Sequence, residues 1–193
     1  MICSRKVLWL LLCISALASW PLQCSLAQSI PDKYDREIER SVKRYWADYP
    51  HWKLWKAQLY QESRLDPNAV SPVGARGLAQ FMPRTWGDVS GSLGFTGTPH
   101  DDTAIEAGAY YMAKLRRTWR GRDRTGDARN DLAQASYNAG TGNILAAQGL
   151  CDNALLWEHI ALCLFHVTGA KNAHETRTYV ERIDRYWKRL ELE

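Results

Sequence analysis

The 193-residue sequence lacks the signatures of several large protein classes. It has no low-complexity tract and no fixed-period repeat, so one compact domain is expected. It has no Walker or dinucleotide-binding glycine motif, and its five histidines show neither HExxH spacing nor pairing with cysteines. We therefore expect no metal and no cofactor. No stretch alternates apolar and polar residues as a strand does, which predicts an all-α fold, or an α fold with a minimal β element.

The N-terminus has the composition of an export signal. Arg5 and Lys6 precede an apolar run, Val7–Trp20, and the segment Ser25–Ala27 offers small residues where a signal peptidase reads. We predict that residues 1–27 are a cleaved signal peptide. The exported protein is then expected in the periplasm or elsewhere in the cell envelope.

Two other interpretations of this segment stay open. The stretch Val7–Ile30 carries no charge and is long enough to span a bilayer, although Pro21 weakens it as an uncleaved anchor. Cys24 would be the acylated residue of a lipoprotein, but Gln23 is larger than the small residue expected before it. In each case residues 28–193 form the folded domain, and membrane contact is expected only if the N-terminal segment is retained.

Charge and cysteine content agree with export. Loss of Arg5 and Lys6 with the leader lowers the formal net charge from +4 to +2, which is too weak to indicate a nucleic-acid partner. We expect a monomer. Of the five cysteines, Cys151 and Cys163 remain as an even pair. An oxidising compartment favours a disulfide between them, and two buried free thiols are the alternative.

Apolar residues at helical spacing predict most of the helices. Three stripes are found: Tyr34, Ile38, Val42 and Tyr45; Ile105, Gly108, Met112, Leu115 and Trp119; and Thr176, Val180, Ile183, Trp187 and Leu190. We expect the first helix to end at Pro50, and a further helix to run from about His51 to Arg64. Asp101 or Asp102 is expected to cap the helix of the middle stripe. The stretches 71–77, 87–99 and 119–131 are predicted to be connecting loops.

One carboxyl group stands out on a helical wheel. Glu62 lies beside Trp55 at the edge of an apolar face that includes Trp52, and it falls in the last turn of its helix. Burial and the negative end of the helix dipole both raise the pKa of a carboxyl group, as a general acid requires. The wheel alone leaves open that Glu62 points to solvent or pairs with Arg64 or Arg76.

The strings around Glu62 resemble a known family. They are QESRLDPNA at 61–69, SPVGARGLAQFMP at 71–83, ASYNAGTG at 135–142 and ETRTYV at 175–180. The sequence is similar, in the same order of motifs, to the soluble lytic transglycosylases, which are related to goose-type lysozymes. The resemblance implies a lysozyme-like helical domain with a groove for a glycan, and peptidoglycan strands as the partner.

The resemblance also implies roles for individual residues. Glu62 corresponds to the catalytic acid/base, and five further residues are expected around the cleft to bind substrate: Ser71, Gln80, Tyr137, Asn138 and Glu175. Gly74 and Gly77 would let a loop bend close to a sugar. Where the family usually has Met this sequence has Ala79, so we expect a smaller groove wall there, or one filled by Phe81.

The implied reaction needs only one carboxyl group from the protein. Asp66 is the acidic neighbour of Glu62 in sequence, and its place before Pro67 predicts a turn residue instead. The acetamido group of the substrate can replace a second carboxylate. The expected activity is therefore cleavage between N-acetylmuramic acid and N-acetylglucosamine, with closure of a 1,6-anhydro ring. A lysozyme-type muramidase, a phage endolysin included, is the alternative, and a non-enzymatic wall-binding module is a third hypothesis.

Overall fold

The computed structural model describes residues 29–121 and 123–193, and within these ranges the protein consists of helices joined by loops, without a strand. The helices are α1 (Asp35–Tyr45), α2 (Trp52–Ser63), α3 (Pro83–Leu93), α4 (Thr103–Thr118), α5 (Gly126–Ala139), α6 (Thr141–Leu150), α7 (Trp157–Ile160) and α8 (Leu164–Leu192). Pairing of β type in this part of the chain is limited to two isolated bridges, which join Arg76 to Val70 and to Phe81. The all-α prediction is thus confirmed.

The predicted signal peptide lies outside the described residues. Among the helices that the structure describes, none combines the length and the apolar character needed to cross a membrane.

The three apolar stripes lie where the sequence predicts them. Ile38, Ile105, Met112 and Ile183 are fully buried, one or two from each of the helices α1, α4 and α8. The first helix, however, ends at Tyr45 and not at Pro50. Trp46 leaves the helical conformation, and its buried indole N–H donates to the carbonyl oxygen of Ala109, 2.8 Å away. The packing of Trp46 against α4 therefore ends α1 before the chain reaches Pro50.

The prediction of a loop at 87–99 is wrong, because α3 occupies its first half. This helix begins with Pro83 in its first turn, where proline is tolerated, and ends at Gly94 in the left-handed conformation (φ 70°). Val89 is buried, and Trp86 packs on the core. Burial of one face outweighs the cost of two glycines in the helix, about 1 kcal/mol each.

Two further details of the sequence prediction are corrected. The charged stretch 119–131 is a loop only as far as Thr125, whose hydroxyl accepts from the backbone N–H of Ala128 and so caps α5. Neither aspartate caps α4 with its side chain. Asp101 instead accepts from the backbone N–H of Thr98 in the preceding turn, at 2.6 Å, and Asp102 makes no capping hydrogen bond.

A close approach at Gly108 and a bend in α8 position the helices that carry the site. A Cβ atom at Gly108 of α4 would lie 2.5 Å from the ring of Trp55 in α2, so this ring fits against α4 only because residue 108 is glycine. Helix α8 packs along α2 and α5, and it bends at Gly169, which has non-helical backbone angles (φ 80°, ψ 161°).

The disulfide predicted from the cysteine count is present in the structure. Cys151 follows α6 and Cys163 precedes α8, with their Cα atoms 5.9 Å apart. The bond closes a loop that contains α7 and attaches this loop to the start of α8.

Candidate active site

A groove of about 590 Å³ opens on one side of α8. Its walls come from the end of α2, the loop after it, the end of α5 and the middle of α8. Six of its lining residues are those that the sequence predicts: Glu62, Ser71, Gln80, Tyr137, Asn138 and Glu175. Residues far apart in the chain are therefore brought together around one cavity large enough for a small ligand.

Glu62 is the second-last residue of α2, and its side chain lines the groove. The residue is partly exposed to the groove, and its carboxyl group is largely surrounded by protein. Loss of hydration on burial raises the pKa of Glu62 from 4.5 to about 8, while a hydrogen bond from the hydroxyl group of Tyr179 acts in the opposite direction. The Glu62 carboxyl group is thus mostly protonated at neutral pH. When it loses its proton, the hydroxyl group of Tyr179 can donate a hydrogen bond to the carboxylate.

Tyr179 was missed as a site residue by the sequence analysis. It is buried in α8, and its hydroxyl group donates to Oε1 of Glu62. Burial and the neighbouring Glu62 raise the pKa of Tyr179 well above its ordinary value, so this hydroxyl group stays a neutral donor. One feature of the sequence could have indicated Tyr179 as a site residue: it lies one helical turn after Glu175 in the same motif.

The loop after α2 is held by its own hydrogen bonds. Ser71 and Ala75 form a closed turn, in which the hydroxyl oxygen of Ser71 accepts from the backbone N–H of Ala75 at 2.9 Å. Nε2 of Gln80 donates to the carbonyl oxygens of Ala69 and Gly77, at 3.1 and 3.0 Å. The amide nitrogen of Gln80 therefore fixes the loop, and its carbonyl oxygen is the group that remains for a ligand.

Gly77 is required by the packing of this loop. Its φ is 72°, and a Cβ atom at this position would lie 1.6 Å from the carbonyl oxygen of Pro99. Gly74 also has a positive φ, of 89°, in the turn that faces the groove. The two glycines thus allow the sharp bends that the sequence analysis expects.

Tyr137 and Asn138 close the groove from the end of α5. The hydroxyl group of Tyr137 donates to the carbonyl oxygen of Ala79 at 2.6 Å, which ties α5 to the loop. Oδ1 of Asn138 accepts from the hydroxyl group of Thr176 at 2.8 Å, which ties α5 to α8. Asn138 is exposed and lines the groove, so its amide nitrogen is accessible to a ligand.

The expectation that Ala79 shapes the groove wall is wrong. Its side chain is fully buried and faces α4, where a Cβ atom added to Gly108 would come within 3.2 Å of it. Phe81 is also buried and packs against Trp86, Tyr111 and Tyr137. Residue 79 therefore takes part in the packing of the loop after α2 against α4 and does not line the groove.

The other carboxyl groups near Glu62 have distinct surroundings. Asp66 is exposed and accepts from the backbone N–H of Asn68 at 2.8 Å, so it is a turn residue, as predicted. Glu175 lines the groove but is exposed.

The described residues contain no cluster of three or more histidine, cysteine or carboxylate side chains that would hold a metal ion.

Three basic side chains of α8 also line the groove and were not anticipated: Lys171, His174 and Arg182. They share one face of the helix with Glu175 and Thr178. No motif carries them, and the apolar stripe of α8 shows only which face is opposite. Their position could be assigned only after α8 was placed against the groove.

A comparison with protein families matches residues 43–159 to the transglycosylase SLT domain. Among curated proteins, the chain is similar to "Membrane-bound lytic murein transglycosylase F" of Salmonella arizonae, with 33% identity over 78% of this chain and 31% of the relative. The protein of the same name from Pectobacterium atrosepticum is 32% identical over 86% of this chain and 35% of the relative. The chain thus spans about a third of the length of these relatives.

Among solved structures, the chain is similar to two lytic transglycosylases. An inactive mutant of the lytic transglycosylase Slt from Pseudomonas aeruginosa superposes with a TM-score of 0.64 at 25% identity, over 82% of this chain and 24% of that one. The 70 kDa soluble lytic transglycosylase from Escherichia coli superposes with a TM-score of 0.59 at 26% identity, over 83% of this chain and 25% of that one.

Proposed function

Because the chain belongs to the transglycosylase SLT family, we propose that it is a lytic transglycosylase of the cell wall. It cleaves the β-1,4 bond between N-acetylmuramic acid and N-acetylglucosamine in peptidoglycan and leaves a 1,6-anhydro ring on the muramic acid. The observation that carries the proposal is Glu62, a carboxyl group with a pKa of about 8 that opens into the groove beside the hydroxyl group of Tyr179.

The first step uses Glu62 as a general acid. With a pKa of about 8, the carboxyl group holds its proton at neutral pH and can give it to the oxygen of the glycosidic bond. The bond between that oxygen and the anomeric carbon then breaks. The acetamido oxygen of the muramic acid attacks the anomeric carbon from the other side and stabilises its positive charge, so no second carboxylate is needed.

The second step uses the same group as a base. After it has lost its proton, the Glu62 carboxylate is poorly hydrated, which makes it a strong base, and Tyr179 donates a hydrogen bond to it. It takes the proton of the 6-hydroxyl group on the same sugar, whose oxygen bonds to the anomeric carbon and displaces the acetamido oxygen. Glu62 is protonated again, and the ring closes without water.

The remaining site residues hold the sugar for this intramolecular step. The carbonyl oxygen of Gln80 and the amide nitrogen of Asn138 offer an acceptor and a donor, and the ring of Tyr137 offers an apolar surface. Ser71 and Glu175 lie on the same groove and add a hydroxyl group and a carboxylate. A fixed sugar brings its 6-hydroxyl group to the reacting carbon at high effective concentration.

The place of action follows from the substrate. We propose that residues 1–27 direct export, that residues 28–193 form the lysozyme-like domain, and that the enzyme works in the periplasm. The disulfide between Cys151 and Cys163 supports an oxidising compartment.

The product tests this proposal. Digestion of purified peptidoglycan should release muropeptides that are lighter by one water than those from a hydrolase, and excess chelator should leave the rate unchanged. Mass spectrometry and borohydride treatment measure this directly. If all products carry hydrated, reducible ends, the enzyme is a muramidase.

The hydrolase alternative has one observation in its favour, namely that Glu175 lines the same groove as Glu62. A hydrolase would use such a second carboxylate to activate water or to attack the sugar. In that case Glu175→Gln should abolish cleavage as completely as Glu62→Gln. In a transglycosylase Glu175 only binds substrate, and we expect a loss of about tenfold, close to that of one charge-assisted hydrogen bond.

A further inference from the structure

A second recess, of about 370 Å³, lies on a different face of α8 from the groove. It is formed by the middle of α5, by α7 with the residues after it, and by α8. It shares no lining residue with the groove. Trp157, Ala161 and Val180 are buried and give the second recess an apolar floor, and the exposed Leu162 lies at its edge.

The rim of the second recess is negatively charged. It carries one cation, Arg177, and four carboxyl groups, those of Asp131, Glu158, Glu181 and Asp184. Glu158 and Asp184 each have a basic neighbour that does not line the recess. Within the part of the chain that the structure describes, Asp131 and Glu181 have no basic side chain at ion-pair distance. A cation placed beside them would therefore meet carboxylates without a partner.

The segment that forms one wall of the second recess exposes several large apolar side chains. Leu162 is 62% exposed, and it is joined along the chain by the exposed residues Leu155, Leu156 and Phe165. The disulfide between Cys151 and Cys163 attaches this segment to the start of α8. Exposed apolar side chains that are grouped and bordered by polar residues are typical of a surface that binds another protein.

The charge of the rim distinguishes the occupants of such a surface. An anionic membrane surface would be repelled by the carboxylates. A second copy of this chain, docked through the same recess on a twofold axis, would bring two sets of carboxylates together. A partner segment with lysine or arginine on either side of a large apolar side chain complements both the floor and the rim.

We propose that the second recess is a docking site for a basic amphipathic segment of another protein. An apolar side chain of the partner packs on Trp157 and Leu162, and its cations pair with Asp131 and Glu181. Because α8 lies between the second recess and the groove, the docked enzyme keeps its groove open. This inference goes beyond the proposed function and does not depend on it.

The first test measures the charge of the site. The probe is a short fluorescent helical peptide of leucine and lysine, and a peptide with glutamate in place of lysine is its control. The test variant of the full chain combines Asp131→Asn and Glu181→Gln. The matched control combines Glu39→Gln and Asp88→Asn, which remove the same charge from exposed positions outside the recess. Circular dichroism checks that each variant is folded.

We expect the wild type to bind the lysine peptide and not the glutamate peptide, as measured by fluorescence anisotropy at low salt. The test variant should bind the lysine peptide about tenfold more weakly, the combined effect of two exposed ion pairs. The difference should shrink at high salt, and the control should match the wild type. Absence of binding by the wild type, or an equal loss in the control, would overturn the proposal.

The second test measures the apolar part of the site. Leu162→Ser should weaken binding of the lysine peptide about fivefold at both low and high salt, because it removes an apolar contact and no charge. Leu192→Ser is the matched control, since Leu192 is also exposed and does not line the recess. Saturating peptide should leave peptidoglycan cleavage by the wild type unchanged. Competitive inhibition would place the peptide in the groove and overturn the proposal.

The third test identifies the occupant in cells that produce the protein. A photoreactive phenylalanine analogue replaces Leu162, and mass spectrometry reads the sequence of the segment to which it cross-links. We expect a segment of another protein that is rich in lysine or arginine, and we expect the adduct to be lost when Asp131→Asn and Glu181→Gln are added. Adducts only with lipid or with this same chain would overturn the proposal. If the wild type released no anhydro products, the proposed function would fail while these results still decided the inference.

Discussion

Two carboxyl groups with raised pKa values lie on opposite sides of α8, and only one of them has the surroundings of a catalyst. Glu62 lines the groove together with Tyr179 of α8. Asp131 of α5 lines a second recess of about 370 Å³, to which α8 contributes Val180 and Asp184. Helix α8 thus separates two carboxyl groups that have the same kind of pKa shift but lie in different recesses.

The causes of the two shifts differ. Burial raises the pKa of Glu62 to about 8, and its hydrogen-bond partner within the described residues is a neutral hydroxyl group. The pKa of Asp131 rises to about 6 through burial and through repulsion from the carboxylates of Asp127, Asp184 and Glu158. A group that must lose and regain a proton is helped by a neutral donor, which serves both states. Repulsion from like charges gives a shifted pKa without such a partner, so a shift alone does not identify a catalytic residue.

The largest expected difference between the two carboxyl groups is in activity. Glu62→Gln should lower peptidoglycan cleavage by about 10²–10⁴-fold, because an amide can neither give nor take the proton. Asp131→Asn, the matched control, should keep nearly full activity. Turbidity clearance of cell walls measures both. Near wild-type clearance by Glu62→Gln would remove Glu62 from the mechanism.

A second experiment disturbs only the Asp131 side. Trp157 and Leu162 of the second recess lie in the loop closed by Cys151 and Cys163. Replacement of both cysteines with serine should lower the free energy of unfolding by about 3 kcal/mol in the chain-entropy model. Urea unfolding measures the loss, and initial rates at a temperature where the variant is folded should be unchanged. A lost activity with intact folding would show that the loop supports the groove.

A third experiment removes the partner that distinguishes Glu62. Tyr179→Phe deletes the hydrogen bond to the carboxylate, so the pKa of Glu62 should rise further and kcat should fall about tenfold. The basic limb of the kcat/KM profile against pH, which reports loss of the Glu62 proton, should move to higher pH. A lower kcat with an unmoved limb would mean that Tyr179 acts only through packing.

The smallest expected effect concerns the stability cost of Asp131. Its pKa is raised from 3.8 to about 6 in the folded protein, so folding favours the protonated form and stability falls as pH rises through that window. Asp131→Asn removes the cost. The variant should gain about 1 kcal/mol at pH 7, less at high salt, and nothing below pH 3.8. Thermal unfolding at the two pH values checks this, and a gain that persists at low pH would contradict it.

What the sequence could predict depends on the range of the interactions involved. Glu62 and its motif neighbours were assigned because residues near in sequence carry a recognisable pattern, and Ile38 or Met112 because helical periodicity marks a buried face. Helix α3 was missed since its glycines are weak helix formers, and the burial of Val89 that stabilises it is a tertiary effect.

The contacts of the site itself could not be derived in this way. The hydrogen bond between Tyr179 and Glu62 joins residues 117 positions apart, and it requires α2 and α8 to lie side by side. The burial of the Ala79 side chain, away from the groove, depends on the close approach of α4 at Gly108. The charge of the groove wall depends on which face of α8 turns towards the loop. Each of these is a fact about helix packing, which local sequence does not encode.

Gly77 has a consequence for the divergence of related chains. A Cβ atom there would meet the carbonyl oxygen of Pro99 at 1.6 Å, and the backbone has a φ of 72°, so no other amino acid fits without moving the loop that carries Gln80. Mutation at this codon should therefore be purged in any lineage that still uses the groove. A related chain with a different residue at 77 would need another path for this loop, and so another position for Gln80, even if it had kept Glu62.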